Sequence, residues 1–272
     1  MQEQQLELAS QWLQQADSIL LSAGAGMGVD SGLPDFRGNA GFWRAHPCYQ
    51  AQGLGFADMA NPAWFEHDIA RAWGFYGYRF QRYQHTQPHR GFAILHQWLA
   101  QKNHFVFTSN VDGQFQKAGF SPQRIVDCHG SIHYLQCASA SNPCAHIWAL
   151  ESLDLQIDEQ TMTATGNYQQ CPHCGALARP NILMFSDAAW LSDRQGRQQQ
   201  RYQQWSDAVQ RQRTVVIEIG AGTAVPTVRH ESAYFGAKLL RINPERPAPK
   251  RAEVIHLSAT ALTALEALEQ RL

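Results

Sequence analysis

Short apolar runs that stop at a glycine or a small polar residue recur along the chain. Ile19-Leu20-Leu21-Ser22 runs into AGAGMG, Phe105-Val106-Phe107-Thr108-Ser109 into Asn110, and Val215-Val216-Ile217-Glu218-Ile219 into GAG. Ile125-Val126-Asp127-Cys128 and Leu239-Leu240-Arg241-Ile242-Asn243 have the same form. Runs this short and this continuously apolar suit strands covered on both faces, as in a parallel sheet. Between them, residues 90–100 and 197–210 carry helical patterns, and the N-terminal MQEQQLELASQWLQQADS reads as a polar amphipathic helix. Strands and helices in alternation predict a doubly wound, Rossmann-like α/β domain.

Two stretches break the alternation. Residues 39–85 are rich in aromatics (GFW, NPAWF, RAWGFYGYRF) and look helical without strands, whereas residues 136–178 have little periodicity. Both are expected to be insertions that together build a smaller lobe, one helical and one a metal-binding module. The larger domain is then discontinuous, comprising 1–38, 86–135 and 179–272. The glutamine-rich patch at 198–204 is expected to be a solvated helix face or loop.

At 272 residues the chain is long for one compact domain and short for two full ones. A formal net charge of −1 gives no reason to expect a nucleic-acid footprint or a membrane-binding face. No apolar run approaches the roughly 20 residues needed to cross a bilayer. The N-terminus lacks the basic-then-apolar layout of a signal peptide, so an intracellular, cytoplasmic location is expected. Of six cysteines, Cys48 and Cys128 stand alone, while Cys137, Cys144, Cys171 and Cys174 gather within 38 residues. Without an export signal, such a local group is more often a metal site than a disulfide framework.

Candidate chemistry begins at Gly24-Ala25-Gly26-Met27-Gly28, just after the first strand. Glycines there let the backbone turn tightly and approach a pyrophosphate, with N–H groups pointing at the anion. Taken alone, the loop reads equally well as a structural turn. It continues, however, into Asp30-Ser31-Gly32-Leu33-Pro34-Asp35-Phe36-Arg37-Gly38, and the whole segment resembles the sirtuin signature, a GAG phosphate loop running into SGIPDFR. Further segments match in the family's order. Thr108-Ser109-Asn110-Val111-Asp112 resembles its TQNID motif, followed by Ala118-Gly119, and His129-Gly130 resembles its catalytic HG pair. Cys171-Pro172-His173-Cys174 resembles the second zinc CxxC, residues 179–185 resemble the RPxVVxFGE strand, and Ile242-Asn243 the closing IN pair. The likeness spans roughly residues 15–250.

The resemblance implies an NAD-dependent deacylase acting on acylated lysines of proteins or peptides. It places the NAD pyrophosphate against Gly24, Ala25 and Gly26 and the nicotinamide in a pocket made by Asn110 and Asp112, beside Ser109. Phe36 would shield the reacting C1′ face, with Asp35 and Arg37 in the same cofactor loop. Gly220, Ala221, Gly222 and Asn243 complete the cofactor contacts, and Val111, Met184 and Phe185 the substrate contacts. The acyl oxygen attacks C1′ to give an alkylamidate, and His129 acts as general base through the ribose hydroxyls. The products are free lysine, nicotinamide and 2′-O-acyl-ADP-ribose. Zinc would be held by Cys137, Cys144, Cys171 and Cys174. Cys137 and Cys144 are separated by six residues where the family usually has two, with His146 and His173 as substitute ligands should Cys144 turn away.

The chain departs from the pattern at Gly28, where the family has serine, at Ser109, where it has glutamine, and at Gly220-Ala221-Gly222-Thr223, where it has GTS. Ala221 cannot replace a hydroxyl, although Thr223 could from a position further on, so NAD is expected to sit differently or bind more weakly. In Phe75-Tyr76-Gly77-Tyr78-Arg79, the pair Tyr76 and Arg79 resembles the Tyr-x-x-Arg that contacts the distal carboxylate in sirtuins preferring succinyl- or malonyl-lysine. Residues three apart share a helix face, and a guanidinium with a phenol suits a carboxylate. The bland counterparts are a structural His129, helix capping by Asn110 and Asp112, and an accidental YxxR on a solvated face. Beside deacylation stand mono-ADP-ribosyl transfer or NAD hydrolysis on the same scaffold, and a non-catalytic NAD or ADP-ribose sensor.

Overall fold

The computed structural model describes residues 3–35, 38–138, 144–210, 212–245 and 253–272. Phe36 and Arg37 of the expected cofactor loop lie outside the described residues. Numbered along the chain, the strands are β1 (Ser18–Ala23), β2 (Asn103–Thr108), β3 (Ile125–Asp127), β4 (Gly130–Cys137), β5 (Ile147–Ala149), β6 (Leu155–Asp158), β7 (Thr163–Gly166), β8 (Ala178–Ile182), β9 (Thr214–Ile219), β10 (Lys238–Ile242) and β11 (Val254–Leu257). The helices are α1 (Glu3–Gln15), α2 (Gly38–Ala45), α3 (Pro47–Ala51), α4 (Phe56–Met59), α5 (Trp64–His67), α6 (Ile69–His85), α7 (Arg90–Leu99), α8 (Gln114–Lys117), α9 (Asp193–Val209), α10 (Thr227–Tyr234) and α11 (Ala261–Glu269).

The five apolar runs become β1, β2, β3, β9 and β10, in a six-stranded sheet of order β11-β10-β9-β1-β2-β3 with every neighbouring pair parallel. Every residue of β1 and β9 is buried. The reason is double coverage. Ile19, Leu21 and Ala23 face the cluster built with α1, α7 and α11, while Leu20 faces Tyr202, Trp205 and Val209 of α9. The sixth strand, β11, is only four residues long with His256 inside it, too short and too interrupted for an apolar run to reveal. The chain leaves β1 for β2 on one side and later returns through β9 on the other. The order therefore reverses at β1, and the crevice above its carboxyl end is where such sheets bind ligands.

The smaller lobe joins the two insertions in one apolar cluster, with Phe42, Tyr49, Trp73, Tyr76 and Phe80 packed with Leu150, Leu155, Met162, Ala164 and Ala178. Residues 136–178 are more regular than their sequence pattern suggests. They contain β5, the β6–β7 hairpin and the start of β8, and β5-β4-β8 form an antiparallel sheet. A Cβ added at Gly74 would lie 2.0 Å from the Met162 carbonyl oxygen, so α6 and the hairpin touch backbone to backbone. The glutamine patch lies within α9 as expected for a helix, but not wholly in solvent: Gln198 is buried. No described helix is long and apolar enough to cross a membrane.

Candidate active site and metal centre

Two glycine loops meet above the carboxyl ends of β1 and β9. Gly24 N donates to the Ile219 carbonyl (2.9 Å) and Gly26 N to the Gly220 carbonyl (3.0 Å). A Cβ on Gly24 would come within 2.8 Å of the Ala221 Cα, and one on Gly220 within 2.4 Å of Met27 N. The glycines are thus required by interlocking of the two loops. This corrects one expectation: the amides of Gly24 and Gly26 point at protein carbonyls, not outward to an anion. Ala25 opens a 3-10 turn to Met27.

In the second loop Ala221 is buried, and its carbonyl accepts from Asn243 Nδ2 (3.0 Å) and from Arg229 Nε and Nη2 (3.1 and 2.8 Å). Asn243 is itself buried and braces this loop from behind. Gly222 and Thr223 are exposed.

The segment after β2 turns toward the first loop. The Thr108 hydroxyl donates to the Ala23 carbonyl and accepts from Asn110 N (3.0 Å each), and Asn110 Nδ2 donates to the Gly24 carbonyl (3.1 Å). Asp112 Oδ1 accepts from Gln114 N (2.9 Å), so Asp112 does tie down the start of α8, as the capping alternative has it. The residue is half-buried, and desolvation of its carboxyl pushes its pKa up to about 6. The ring of His133 lies 3.0 Å from the Asp112 carbonyl and props the turn.

His129 follows β3, and its carbonyl accepts from Leu183 N (2.9 Å). Its ring Nε2 lies 3.2 Å from the Thr227 hydroxyl at the start of α10, and the Ser109 backbone acts to raise the pKa of the ring. Burial holds its pKa below the usual histidine range, so the imidazole is neutral at pH 7, the form a general base needs. Thr227 went unread in the sequence. So did the clamp on Asp127, two residues before His129. Its carboxylate meets Arg194 Nη2 (2.6 Å), Gln198 Nε2 (3.1 Å) and Gln116 Nε2 (3.1 Å), and its amide donates to Gln198 Oε1 (3.1 Å).

Of the expected substrate contacts, Val111 and Met184 are buried, and Phe185 is 39% exposed. The Val111 carbonyl accepts from Ile132 N, and Phe185 N donates to the Ala60 carbonyl. A buried bidentate pair, Arg179 with Asp187 (2.8 and 2.7 Å), fixes this segment, since Asp187 also accepts from Met184 N. Leu183 and Phe185 offer exposed apolar surface, Leu183 on the segment whose amide meets the His129 carbonyl. Asp35 is half-buried at the end of the described part of its loop.

Tyr76 and Arg79 share a face of α6, and both are buried, which excludes a solvated position for Arg79. Arg79 Nε donates to the Tyr83 hydroxyl (3.1 Å), and its guanidinium lies 5.2, 5.6 and 5.5 Å from the ring centroids of Phe75, Tyr76 and Tyr83. The Tyr76 hydroxyl is buried and meets no hydrogen-bond partner among the described residues. Arg79 is close enough to Asp112 to act against the rise in its pKa.

The sulfurs of Cys137, Cys144, Cys171 and Cys174 lie within 4.8 Å of one another. Cys137 to Cys174 is 3.5 Å and Cys144 to Cys171 is 3.8 Å. Four thiolates bound to one zinc at 2.3 Å would be about 3.8 Å apart, so the set fits a tetrahedral zinc ion. Cys144 does not turn away despite the longer spacing; His173 Nδ1 lies 3.5 Å from its sulfur, outside the four-sulfur set.

The chain matches a known family in sequence and in fold. The Sir2 family profile matches residues 24–225, and the chain belongs to that family. An NAD-dependent protein deacylase of Aquifex aeolicus is 25% identical over 256 residues, covering 92% of each chain. An NAD-dependent protein deacetylase of Oceanobacillus iheyensis is 28% identical over 246 residues, covering 88% of each. A solved Sir2 homologue in complex with NAD shares the fold with a TM-score of 0.70 at 21% identity, covering 97% of this chain and 93% of that one.

Proposed function

We propose that the chain is an NAD-dependent protein-lysine deacylase in which His129 is the general base. The observation that carries this reading is a half-buried imidazole at the carboxyl end of β3, held toward its neutral form by desolvation, with Nε2 3.2 Å from the Thr227 hydroxyl that follows the second glycine loop. Its Sir2 relatives bear the matching names, NAD-dependent protein deacylase and deacetylase. The nicotinamide end of NAD fits the half-buried Asp112 carboxyl, whose Oδ1 is fixed by Gln114 N and whose pKa is pushed up to about 6. When bound, NAD supplies the ADP-ribosyl group that accepts the acyl chain. Asn110 and Asp112 hold its amide, the interlocked loops shape the bed for its phosphates, and His129 takes a ribose proton at Nε2. The acyl-lysine peptide lies along Leu183 to Phe185, beside the His129 carbonyl.

A finer reading concerns the acyl group. Burial of Arg79 among three aromatic rings, with the Tyr76 hydroxyl nearby and unpartnered among the described residues, supports an acyl chain ending in a carboxylate, such as succinyl- or malonyl-lysine. Mass spectrometry of reactions with NAD and a panel of acetyl-, malonyl- and succinyl-lysine peptides tests both levels. Equal yields of nicotinamide, free lysine and 2′-O-acyl-ADP-ribose are expected. ADP-ribosylated protein or free ADP-ribose in their place would assign the scaffold to transfer or hydrolysis, and no nicotinamide release would leave only sensing.

A further inference from the structure

We infer that Thr227 is the positioning residue of His129, fixing through its hydroxyl the tautomer and the direction of the imidazole. The inference rests on the reading of His129 as the base and adds a residue that neither the family motifs nor the sequence pattern pointed to.

A neutral imidazole carries one N–H and one lone pair, and the groups around the ring decide which nitrogen has which. The Ser109 backbone beside the ring acts to raise the His129 pKa, as a group that favours a ring N–H does. Nε2 faces the Thr227 hydroxyl at 3.2 Å. With the Thr227 O–H donating to the Nε2 lone pair, the ring proton is left on Nδ1. That is the state in which Nε2 can take a proton from a ribose hydroxyl.

The second glycine loop explains why the hydroxyl comes from position 227. Ala221 has none to offer, and its carbonyl is held by Asn243 and Arg229, so the loop cannot turn over to present a substitute. Thr223 is exposed. Thr227 opens α10, whose next residue, Val228, is buried, and whose Arg229 reaches back to the Ala221 and Gly222 carbonyls. Gly220 N, at the start of the loop, donates to the Ile242 carbonyl (3.0 Å). The hydroxyl thus stands on a segment anchored at both ends.

Thr227→Val keeps the shape and deletes the hydroxyl, whereas Thr227→Ser keeps the hydroxyl. Two readouts apply: kcat and KM for NAD and acyl peptide, and the tautomer of His129 in the unliganded protein by nitrogen-15 NMR of labelled histidine. Losing one neutral hydrogen bond predicts a fall in kcat of about 3- to 10-fold for the valine variant. Its KM values should stay within about twofold, and the serine variant should retain wild-type kcat to within about twofold, changes smaller than one hydrogen bond is worth. Wild type and Thr227→Ser should show the Nδ1–H form, and Thr227→Val a mixture. An unchanged tautomer and unchanged kcat in Thr227→Val would overturn the inference, and so would equal losses in both variants, which mark simple packing. Should the wild type form no acyl-ADP-ribose, the deacylase reading fails, while the tautomer comparison still decides the role of Thr227.

Discussion

Asp112 and His129 are pushed by burial toward their uncharged forms, the acid upward and the base downward. At pH 7 they remain a carboxylate and a neutral imidazole, and acidification through pH 6 protonates Asp112. KM for NAD should therefore rise between pH 7 and pH 5.5, and Asp112→Asn should flatten that rise. Stability carries the same signature with a definite sign. A carboxyl near 3.8 in the unfolded chain and near 6 in the fold binds its proton more tightly when folded. Its contribution is thus full below about pH 4 and lost as pH climbs through 6. Denaturant midpoints should show Asp112→Asn gaining on the wild type between pH 4 and pH 7, by on the order of 1–3 kcal/mol; a constant difference would contradict the burial account. Single residues were legible in sequence where they sat in a motif, as His129, Asn110 and Asp112 did. Thr227 was not, because it meets His129 across 98 residues with no local pattern linking them. Asn243 was in a motif, yet sequence could not show that its side chain faces Ala221.

Elements were legible in proportion to how completely they are buried. The strands β1, β2, β3, β9 and β10 are covered on both faces or close to it, and their apolar runs announce them. The β6–β7 hairpin is short and half-exposed, and its burial rests on α6, a helix about 80 residues upstream in sequence at Gly74 to Met162, separated by 88 positions. A pairing made by tertiary contact leaves little periodicity to read. The four cysteines were legible because metal chemistry demands residue type more than pattern. The module that carries them should depend on its ion: metal analysis should find about one zinc per chain. Cys171→Ser should lose that zinc and lower the thermal midpoint, whereas Cys48→Ser should leave metal content unchanged. Full loss of metal with an unshifted midpoint would remove its structural role.

Across the whole molecule, the proposed reading divides the chemistry between two regions. It draws the glycine loops, Asn110, Asp112 and His129 from the ends of the parallel sheet, and Tyr76 and Arg79 from α6. On that reading Arg79→Met tests acyl choice, with acetyl-lysine as the control for any effect through Asp112. A charge-assisted hydrogen bond is worth roughly 1.5–3 kcal/mol, so kcat/KM for succinyl- or malonyl-lysine should fall about 10- to 150-fold. Acetyl-lysine should be spared, and parallel losses on both would sink the acidic-acyl reading. The proposed reaction turns on His129. Its most direct test is quantitative mass spectrometry of nicotinamide and 2′-O-acyl-ADP-ribose from wild type and His129→Ala, each given NAD and its best acyl-lysine peptide. The account predicts stoichiometric acyl product from the wild type and a rate lower by on the order of 10²–10⁴-fold in a folded variant. A variant that keeps more than about half of wild-type turnover would contradict it, since general-base loss costs far more.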